Sequence, residues 1–234
     1  MKKMLPSLTL ATLAMWAMKR YYSDAPVDEL RWIIGPTARL VTALTGVPFE
    51  WDSGQGYLSR ERFFVIEKAC AGINFMIAAF GMLAVVRCRR IESWRSAAGV
   101  LPFCLLASYS MAVLVNAVRI TLAMWLAAHP VGFAWITAVQ AHRVEGIACY
   151  FGGLVLLYRL VQQVDRRSDV LHQSMLLLVP LFWYYVITVV VPLVNRGYGE
   201  GFVEHTMFVL VVPLVLVALA ALGSQLVRGI WRAT

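Results

Sequence analysis

Long, uninterrupted runs of apolar residues are the feature that most constrains the fold of this chain. Two of them, Met175–Val194 and Met207–Val227, match the roughly 20 residues that an α-helix needs to cross the hydrocarbon core of a bilayer. A backbone surrounded by lipid must satisfy its own hydrogen bonds, which leaves only helices or closed barrels. Barrel strands alternate in hydrophobicity over about 10 residues, and these runs do not. The sequence therefore predicts a helical membrane protein.

Six apolar segments predict an all-α integral membrane protein, a polytopic helical bundle of about six transmembrane helices. They are Met4–Met18, Ile73–Val86, the stretch from Ala97 to Ala128, Val144–Leu160, Met175–Val194 and Met207–Val227. The first two are short, and flanking residues must complete each crossing. We interpret the first as an uncleaved helix rather than a signal peptide. The reason is that Lys19 and Arg20 follow it where small residues would precede a cleavage site.

The distribution of charge orients these helices. Only 15% of the residues are charged and 60% are hydrophobic, which excludes an ordinary soluble enzyme. Cytoplasmic loops are enriched in Lys and Arg. With a cytoplasmic N-terminus, the inner segments contain 11 of the 21 Lys and Arg residues but only three of the 13 acids. The net charge of +8 is therefore a topology signal, strongest in the Arg87–Arg95 loop, and does not predict a nucleic-acid partner.

The stretch from Lys19 to Lys68 is the only large region between the apolar segments, and this orientation places it outside. Apolar residues recur at helical spacing through Glu29–Thr45, which predicts an amphipathic helix on the membrane surface or capping the bundle. Gly35-Pro36 interrupts the pattern, so we expect a short helix that begins at Pro36. Gly46–Gly56 carries turn residues, and we interpret it as an ordered loop.

Three residues from different helices are predicted to lie at one depth on the outer side. Cys70 precedes the second apolar segment and His142 precedes the fourth, so both are expected at the outer N-terminal ends of helices. Arg119 lies 22 residues after Ala97, or about 33 Å along a helix, which reaches the outer edge of a core about 30 Å thick. Ionisable residues near membrane spans are costly and are functional candidates.

The three side chains suit covalent acyl transfer. A cysteine thiolate is a nucleophile, and a helix N-terminus or a nearby cation favours its formation, so Cys70 could have both kinds of support. His142 could act as general acid and base. Arg119 could hold a developing oxyanion or dock a carboxylate.

Structural interpretations of the same residues stay open at this point. Cys70 could be a small apolar side chain, Arg119 could extend to the membrane interface, and His142 could cap a helix. The other cysteines are expected to be structural and not disulfide-bonded: Cys88 in the inner loop, Cys104 and Cys149 within spans. Of the other histidines, His205 could replace His142 as the base. His129 is expected to cap a segment end, and His172 is expected on the inner side, away from the site.

Motifs surround the three residues: Ala69-Cys70-Ala71-Gly72-Ile73, Asn116-Ala117-Val118-Arg119-Ile120 and His142-Arg143-Val144-Glu145-Gly146. In order and spacing they resemble the exosortase/archaeosortase family of membrane cysteine transpeptidases, over roughly Phe49 to Leu160. Pro36–Trp51 and the segment from Gly56 to Arg60 look like the short exosortase K-type branch. Many members have Ser at the position of Ala71, a departure that affects the subfamily more than the activity.

The resemblance implies one membrane-embedded domain over residues 1–234, with a core at roughly 49–160 and an outer loop region at 19–68. It implies a cysteine peptidase or transpeptidase that acts on exported proteins bearing a C-terminal sorting tail: a short motif, a transmembrane helix and a basic end. Cys70 would form a thioester, His142 would act as general acid/base, and Arg119 would position substrate or stabilise charge. The site would face outward from a bacterial inner membrane, among lipids, with no cofactor, metal or nucleic acid.

Other functions make different demands on the sequence. A small transporter or channel without peptidase activity would line its path with Arg119, but the spans lack midplane charges and paired broken helices. A haem-binding cytochrome needs histidines that face each other inside the bundle, whereas the outer histidines here lie at span edges. A rhomboid-type serine protease needs an intramembrane Gly-x-Ser-Gly, which is absent.

Overall fold

The computed structural model describes residues 4–61, 64–88, 94–129, 137–164, 171–194 and 202–233. Its α-helices, in chain order, are α1 (Met4–Asp24), α2 (Arg31–Thr45), α3 (Ile73–Cys88), α4 (Trp94–Ala128), α5 (Ala138–Val164), α6 (Leu171–Tyr185), α7 (Val191–Val194) and α8 (Phe202–Ala233). The other elements are strands β1 (Glu50–Asp52), β2 (Gly56–Ser59) and β3 (Phe64–Ile66), 3₁₀ turns at Val27–Leu30 and Lys68–Cys70, and a π-helical segment at Val186–Val190. The predicted all-α polytopic membrane fold is confirmed, with one small sheet added.

Five helical stretches are long and apolar enough to cross a membrane. They are Lys68–Cys88, Ala98–Ala128, Val139–Gln163, Leu176–Val194 and Phe202–Gly223, and they correspond to five of the predicted segments. The remaining one, Met4–Met18, forms most of α1, but Lys19 and Arg20 follow it within the same helix. Helix α1 is not among the described stretches that are long and apolar enough to cross a membrane. That it crosses the membrane stays a prediction.

The bundle is built around α3. Every side chain from Ile73 to Ala84 is buried except Asn74, and α1, α4, α5 and α6 all pack against this helix. Close packing depends on small residues, which let helix backbones approach one another within a membrane. At Gly81, for example, an added Cβ would collide with the Trp183 ring and lie 2.8 Å from a methyl carbon of Met15.

Helix α3 also extends farther than predicted on the inner side. It ends at Cys88, which is buried at the end of the helix and does not lie in a loop. The expected loop position of Cys88 is therefore wrong, while its expected structural role fits its burial. Cys104 of α4 is likewise buried, and all four cysteines are free of disulfides.

The outer region contains a longer helix than expected, because α2 runs through Pro36. Proline cannot donate to the carbonyl four residues earlier, which here belongs to Trp32. The hydroxyl of Tyr109 in α4 donates to that carbonyl at 3.0 Å and replaces the missing bond. The predicted start at Pro36 is therefore wrong, because the compensating group comes from a distant part of the chain.

The amphipathic character of α2 is confirmed. Its buried residues include Ile33, Ile34 and Val41, and this face packs against α4. At Gly35 the helix also meets the sheet, since an added Cβ would lie 3.0 Å from the Tyr57 hydroxyl oxygen. The helix thus packs against both α4 and β2.

The segment predicted as a loop at Gly46–Gly56 instead begins a three-stranded antiparallel sheet in the order β1-β2-β3. Trp51 pairs with Tyr57, and Tyr57 pairs with Ile66. Gly56 has φ +115°, and the backbone of Ile66 leaves no space for a Cβ there. The loop interpretation is wrong because short strands leave too little alternation to read. Strand β3 leads directly to the turn that contains Cys70.

Candidate functional site

Cys70 is presented at the N-terminal end of α3. It ends the 3₁₀ turn Lys68–Cys70, and its amide donates to the Glu67 carbonyl at 2.9 Å. Gly72 follows with φ +70°, a conformation that glycine adopts without strain and that turns the chain into α3. The thiol is partly buried and free. Its predicted position at a helix N-terminus is confirmed.

Contacts to the end of α1 hold this turn in place. The Lys68 ammonium donates to the carbonyls of Ser23 at 3.1 Å and Ala25 at 2.7 Å. The Tyr22 hydroxyl donates to the Lys68 carbonyl at 3.3 Å. The first helix and the turn before α3 are therefore one connected unit, which holds the backbone on the N-terminal side of Cys70.

Asn116 of α4 connects the cysteine to two other helices. Its side chain is buried, and its amide nitrogen donates to the Cys70 carbonyl. Its amide oxygen accepts from Arg119 Nε at 3.2 Å and from the Tyr150 hydroxyl at 2.9 Å. The motif contained this residue, but the sequence did not predict its role, which depends on contacts among α3, α4 and α5.

Arg119 turns inward instead of reaching for the membrane interface. Its side chain is only 8% exposed, so the alternative in which it merely extends to the surface is wrong. The guanidinium lies 5.3 Å from the centre of the Tyr150 ring and interacts electrostatically with the Cys70 side chain. A buried charge is costly unless partners compensate it, and here Asn116, an aromatic face and the nearby Glu145 carboxylate do so.

His142 pairs with a carboxylate on its own helix. Helix α5 begins at Ala138. His142 therefore lies within the first turns of this helix, whereas the sequence predicted that it precedes the spanning segment. Residues three apart share a helix face, and His142 Nδ1 lies 3.4 Å from Glu145 Oε2. The Glu145 side chain is 8% exposed, against 53% for His142, so a buried carboxylate holds a ring that stays accessible.

Glu145 has a second partner, Cys149. The Cys149 thiol donates to Glu145 Oε1 at 3.5 Å, so Cys149 is not merely the apolar side chain that its position in a span suggested. Each carboxylate oxygen of Glu145 therefore has a different neighbour on the same helix. Arg119 acts electrostatically on Glu145, His142 and Cys70. It is the residue that relates the nucleophile candidate to the base candidate.

A cavity of about 280 Å³ opens beside Arg119. Its lining includes Arg119, His142, Arg143, Tyr150, Tyr184 and His205. Cys70 is not among the lining residues, whereas Arg119, which acts electrostatically on the Cys70 side chain, is. We call this cavity the cleft. Arg143 of α5, which lines the cleft, pairs with Glu204 of α8 at 3.1 Å.

Buried Tyr150 is a site residue that sequence reasoning missed, because nothing in its local sequence distinguishes it from a packing aromatic.

The rival histidines lie in different places. His129 stays at the end of α4, where Nδ1 is 3.1 Å from the Trp125 carbonyl and its ring stacks on Trp125, which supports the predicted capping role. His205 of α8 lines the cleft and remains a rival base. His172 belongs to α6, and its side chain lies outside the described residues.

The sequence profile of the transmembrane exosortase family matches residues 1–159. This chain belongs to the transmembrane exosortase family. The match contains all three motifs and extends farther toward the N-terminus than the predicted start near Phe49. A search of curated proteins and a search of solved structures gave no significant match. Membership supports a membrane transpeptidase or protease role on exported proteins with C-terminal sorting signals, while the K-type assignment stays a prediction.

The family match and the cleft do not have the same extent. Helices α6 and α8 follow the matched residues, yet they contribute Tyr184 and His205 to the cleft. The side of the cleft that holds the exosortase motifs is thus the matched part, and the opposite side is built from residues beyond the match.

Proposed function

We propose that this exosortase cleaves the C-terminal sorting tails of exported proteins through a thioester on Cys70, at the outer face of a bacterial inner membrane. The observation that carries the proposal is the position of Arg119, which is buried, acts electrostatically on the Cys70 side chain and borders the cleft with His142. A cation held at that place serves both a thiolate and the oxyanion formed when it attacks a carbonyl.

Acylation uses the three residues in different roles. Cys70 passes its proton to His142, and the thiolate attacks the carbonyl carbon of the scissile peptide bond. The carbon–nitrogen bond breaks as the departing amine takes the proton back from His142, which leaves the N-terminal part of the substrate on sulfur. Arg119 stabilises the negative charge that moves from sulfur to the carbonyl oxygen.

Deacylation returns the enzyme to its starting state. Water or an amine acceptor gives its proton to His142 and attacks the thioester carbonyl, and the sulfur leaves and recovers that proton. Glu145 positions the ring in both steps because its contact with Nδ1 leaves Nε2 to exchange protons. Glu145 is a positioning residue, since it acts through His142.

The charge distribution supports the orientation. The inner loops carry the excess of Lys and Arg, which by the positive-inside tendency keeps them in the cytoplasm and puts the turn before α3 outside. Exported proteins would then reach the site after translocation.

The test is a comparison of protein C-termini in host membranes. One strain carries the wild-type chain, a second carries Cys70→Ala, and a third carries Cys104→Ala as a matched control at a buried cysteine. We expect a few tail-bearing proteins to keep their tails only in the Cys70→Ala strain, at equal membrane levels of the three variants. Unchanged C-termini in that strain, with tail-bearing proteins detected, would contradict the proposal.

A further inference from the structure

A second cavity lies on the lipid side of the site, between α1 and the π-helical segment with α7. It has a volume of about 820 Å³. One wall is formed by Thr12, Trp16 and Lys19 of α1, the other by Val190 and Val194, and Ile77 of α3 lies between them. Both walls pack on α3 and leave the space between them open. We call this space the lateral groove.

The lateral groove adjoins the cleft. Ile187 lines both cavities. Lys19 of the groove donates to Asn74 Oδ1 at 2.8 Å, and Asn74 lines the cleft. The two cavities are therefore neighbours, and a segment that follows a bond held in the cleft would lie close to the groove.

The groove has the depth and polarity of a path into the bilayer. Thr12 to Ser23 of α1 line it, a length of about 16 Å at 1.5 Å per residue, or roughly half of a 30 Å hydrocarbon core. Its charged residues Lys19 and Arg20 lie with Ser23 at the predicted outer end, and the facing residues Val186, Ile187, Val190 and Val191 are apolar. The π-helical distortion at Val186–Val190 forms part of one wall, and such distortions are frequent at functional sites.

We propose that the lateral groove holds the transmembrane helix of the protein being processed, and this inference rests on the proposed function. A bond cleaved just outside a membrane-spanning tail is followed at once by a helix that enters the bilayer. That helix must lie beside the site and begin at its edge, as the groove does. Helices associate in lipid by close packing of their surfaces, and the groove offers two walls for such packing.

Site-specific photocrosslinking tests the inference. A benzophenone amino acid replaces Val190 in the groove, His205 in the cleft, or Met207, which is 61% exposed on α8 at a similar distance from the outer end of its helix. Each is combined with Cys70→Ala so that uncleaved substrate remains bound. The probe is a tail-bearing protein whose C-terminus changes between the wild-type and Cys70→Ala strains. We expect crosslinks from Val190 to residues in the apolar tail of that protein, and none from Met207.

The outcomes separate the two proposals. Crosslinks from His205 without crosslinks from Val190 overturn the groove and leave the proposed function standing. Crosslinks from Met207 equal to those from Val190 also overturn it. If no C-terminus changes in the Cys70→Ala strain, the proposed function fails and the groove inference fails with it.

A filling variant gives an independent readout. Val190→Trp narrows the groove and is expected to lower tail processing at least about tenfold, equivalent to 1.4 kcal/mol of lost binding. Cleavage of a short peptide without a transmembrane helix should not change. Met207→Trp is the matched control, with processing as in the wild type. Equal loss for both substrates in Val190→Trp would contradict the inference.

Discussion

Helices α3 and α8 are both apolar enough to span a membrane, yet they have opposite roles in the bundle. Helix α3 is buried along most of its length and has small residues where neighbours cross it. In α8, only Val209 and Pro213 are buried among the described side chains of residues 202–223. Lipid is as apolar as a leucine side chain, so hydrophobicity does not separate the inside of a membrane bundle from its outside. Packing separates them here: α1, α4, α5 and α6 pack against α3, whereas among the described helices α5 and α6 pack against α8.

The same contrast divides the site. Cys70, Arg119 and His142 come from elements that pack tightly around α3, all within the family match. The α8 wall contributes His205 and the Glu204 carboxylate from an exposed helix. We therefore expect substitutions on the α3 side to affect the chemistry itself and those on the α8 side to have smaller effects.

The largest effect is expected at the buried guanidinium. Arg119→Lys keeps the charge but loses the planar group that reaches Asn116, the Tyr150 face and Cys70 together. Processing of a tail-bearing substrate should fall about 10²–10³-fold, the usual cost of losing an oxyanion donor. Rates are measured in membranes with matched protein levels. The control is Arg143→Lys, which changes the ion pair with Glu204. An equal loss of processing in Arg143→Lys would contradict the contrast between the α3 side and the α8 side of the site.

A smaller loss is expected when the ring of His142 loses its carboxylate partner. Glu145→Gln is nearly the same size but cannot hold Nδ1–H as a charged acceptor, so the wrong tautomer becomes populated. Processing should fall about 10–10²-fold, within the range of general acid–base contributions. Glu145→Asp should recover part of the activity. Wild-type rates in Glu145→Gln would show that the contact is only structural.

The loss of stability on filling a glycine position is expected to differ between α3 and α8 by a few kcal/mol. Gly81→Leu overfills the contact of α3 with Trp183 and Met15 and should cost about 1–3 kcal/mol. Gly223→Leu in α8 meets open space and should change stability by less than about 0.5 kcal/mol. Both changes remove a helical glycine, so the difference isolates packing. Unfolding of the purified protein in detergent measures it, and equal shifts would refute the contrast.

The smallest effect is expected at the ion pair that joins α5 to α8. Glu204→Gln removes the partner of Arg143 across the outer edge of the cleft. Both side chains are substantially exposed, and such pairs contribute about 0–1 kcal/mol. Processing should change less than about fivefold. A loss as large as that of Glu145→Gln would place the α8 wall in the catalytic machinery.

Much of the fold was predictable because its signals are local. The lengths of the apolar segments predicted the five helical stretches that can span a membrane. The helical spacing of apolar residues predicted an amphipathic helix over the region of α2. The start of α2 was not predictable, because the Tyr109 hydroxyl that replaces the bond lost at Pro36 comes from α4. The sheet was missed because β1 and β3 have three residues each, too few for an alternating pattern to show.

Part of the site was predictable from the ends of the apolar segments. These ends predicted helix N-terminal positions for Cys70 and His142, which the structure has, while the shared outer depth of both residues with Arg119 stays a prediction. Their roles in catalysis stay predictions. The buried connections that relate them were not visible, because Asn116 and Tyr150 acquire their function only when three helices meet. The contact between His142 and Glu145 was open to prediction from their spacing once α5 was extended to Ala138.

The most direct test of a Cys70 nucleophile is to trap the covalent intermediate. Purified wild-type protein in lipid nanodiscs is mixed with a tail-bearing substrate, quenched with acid during turnover and mapped by mass spectrometry. We predict the N-terminal part of the substrate attached to the peptide that contains Cys70, released by neutral hydroxylamine and absent from Cys70→Ala. Processing by Cys70→Ala at the wild-type rate, or an acyl group on another residue, would contradict the account.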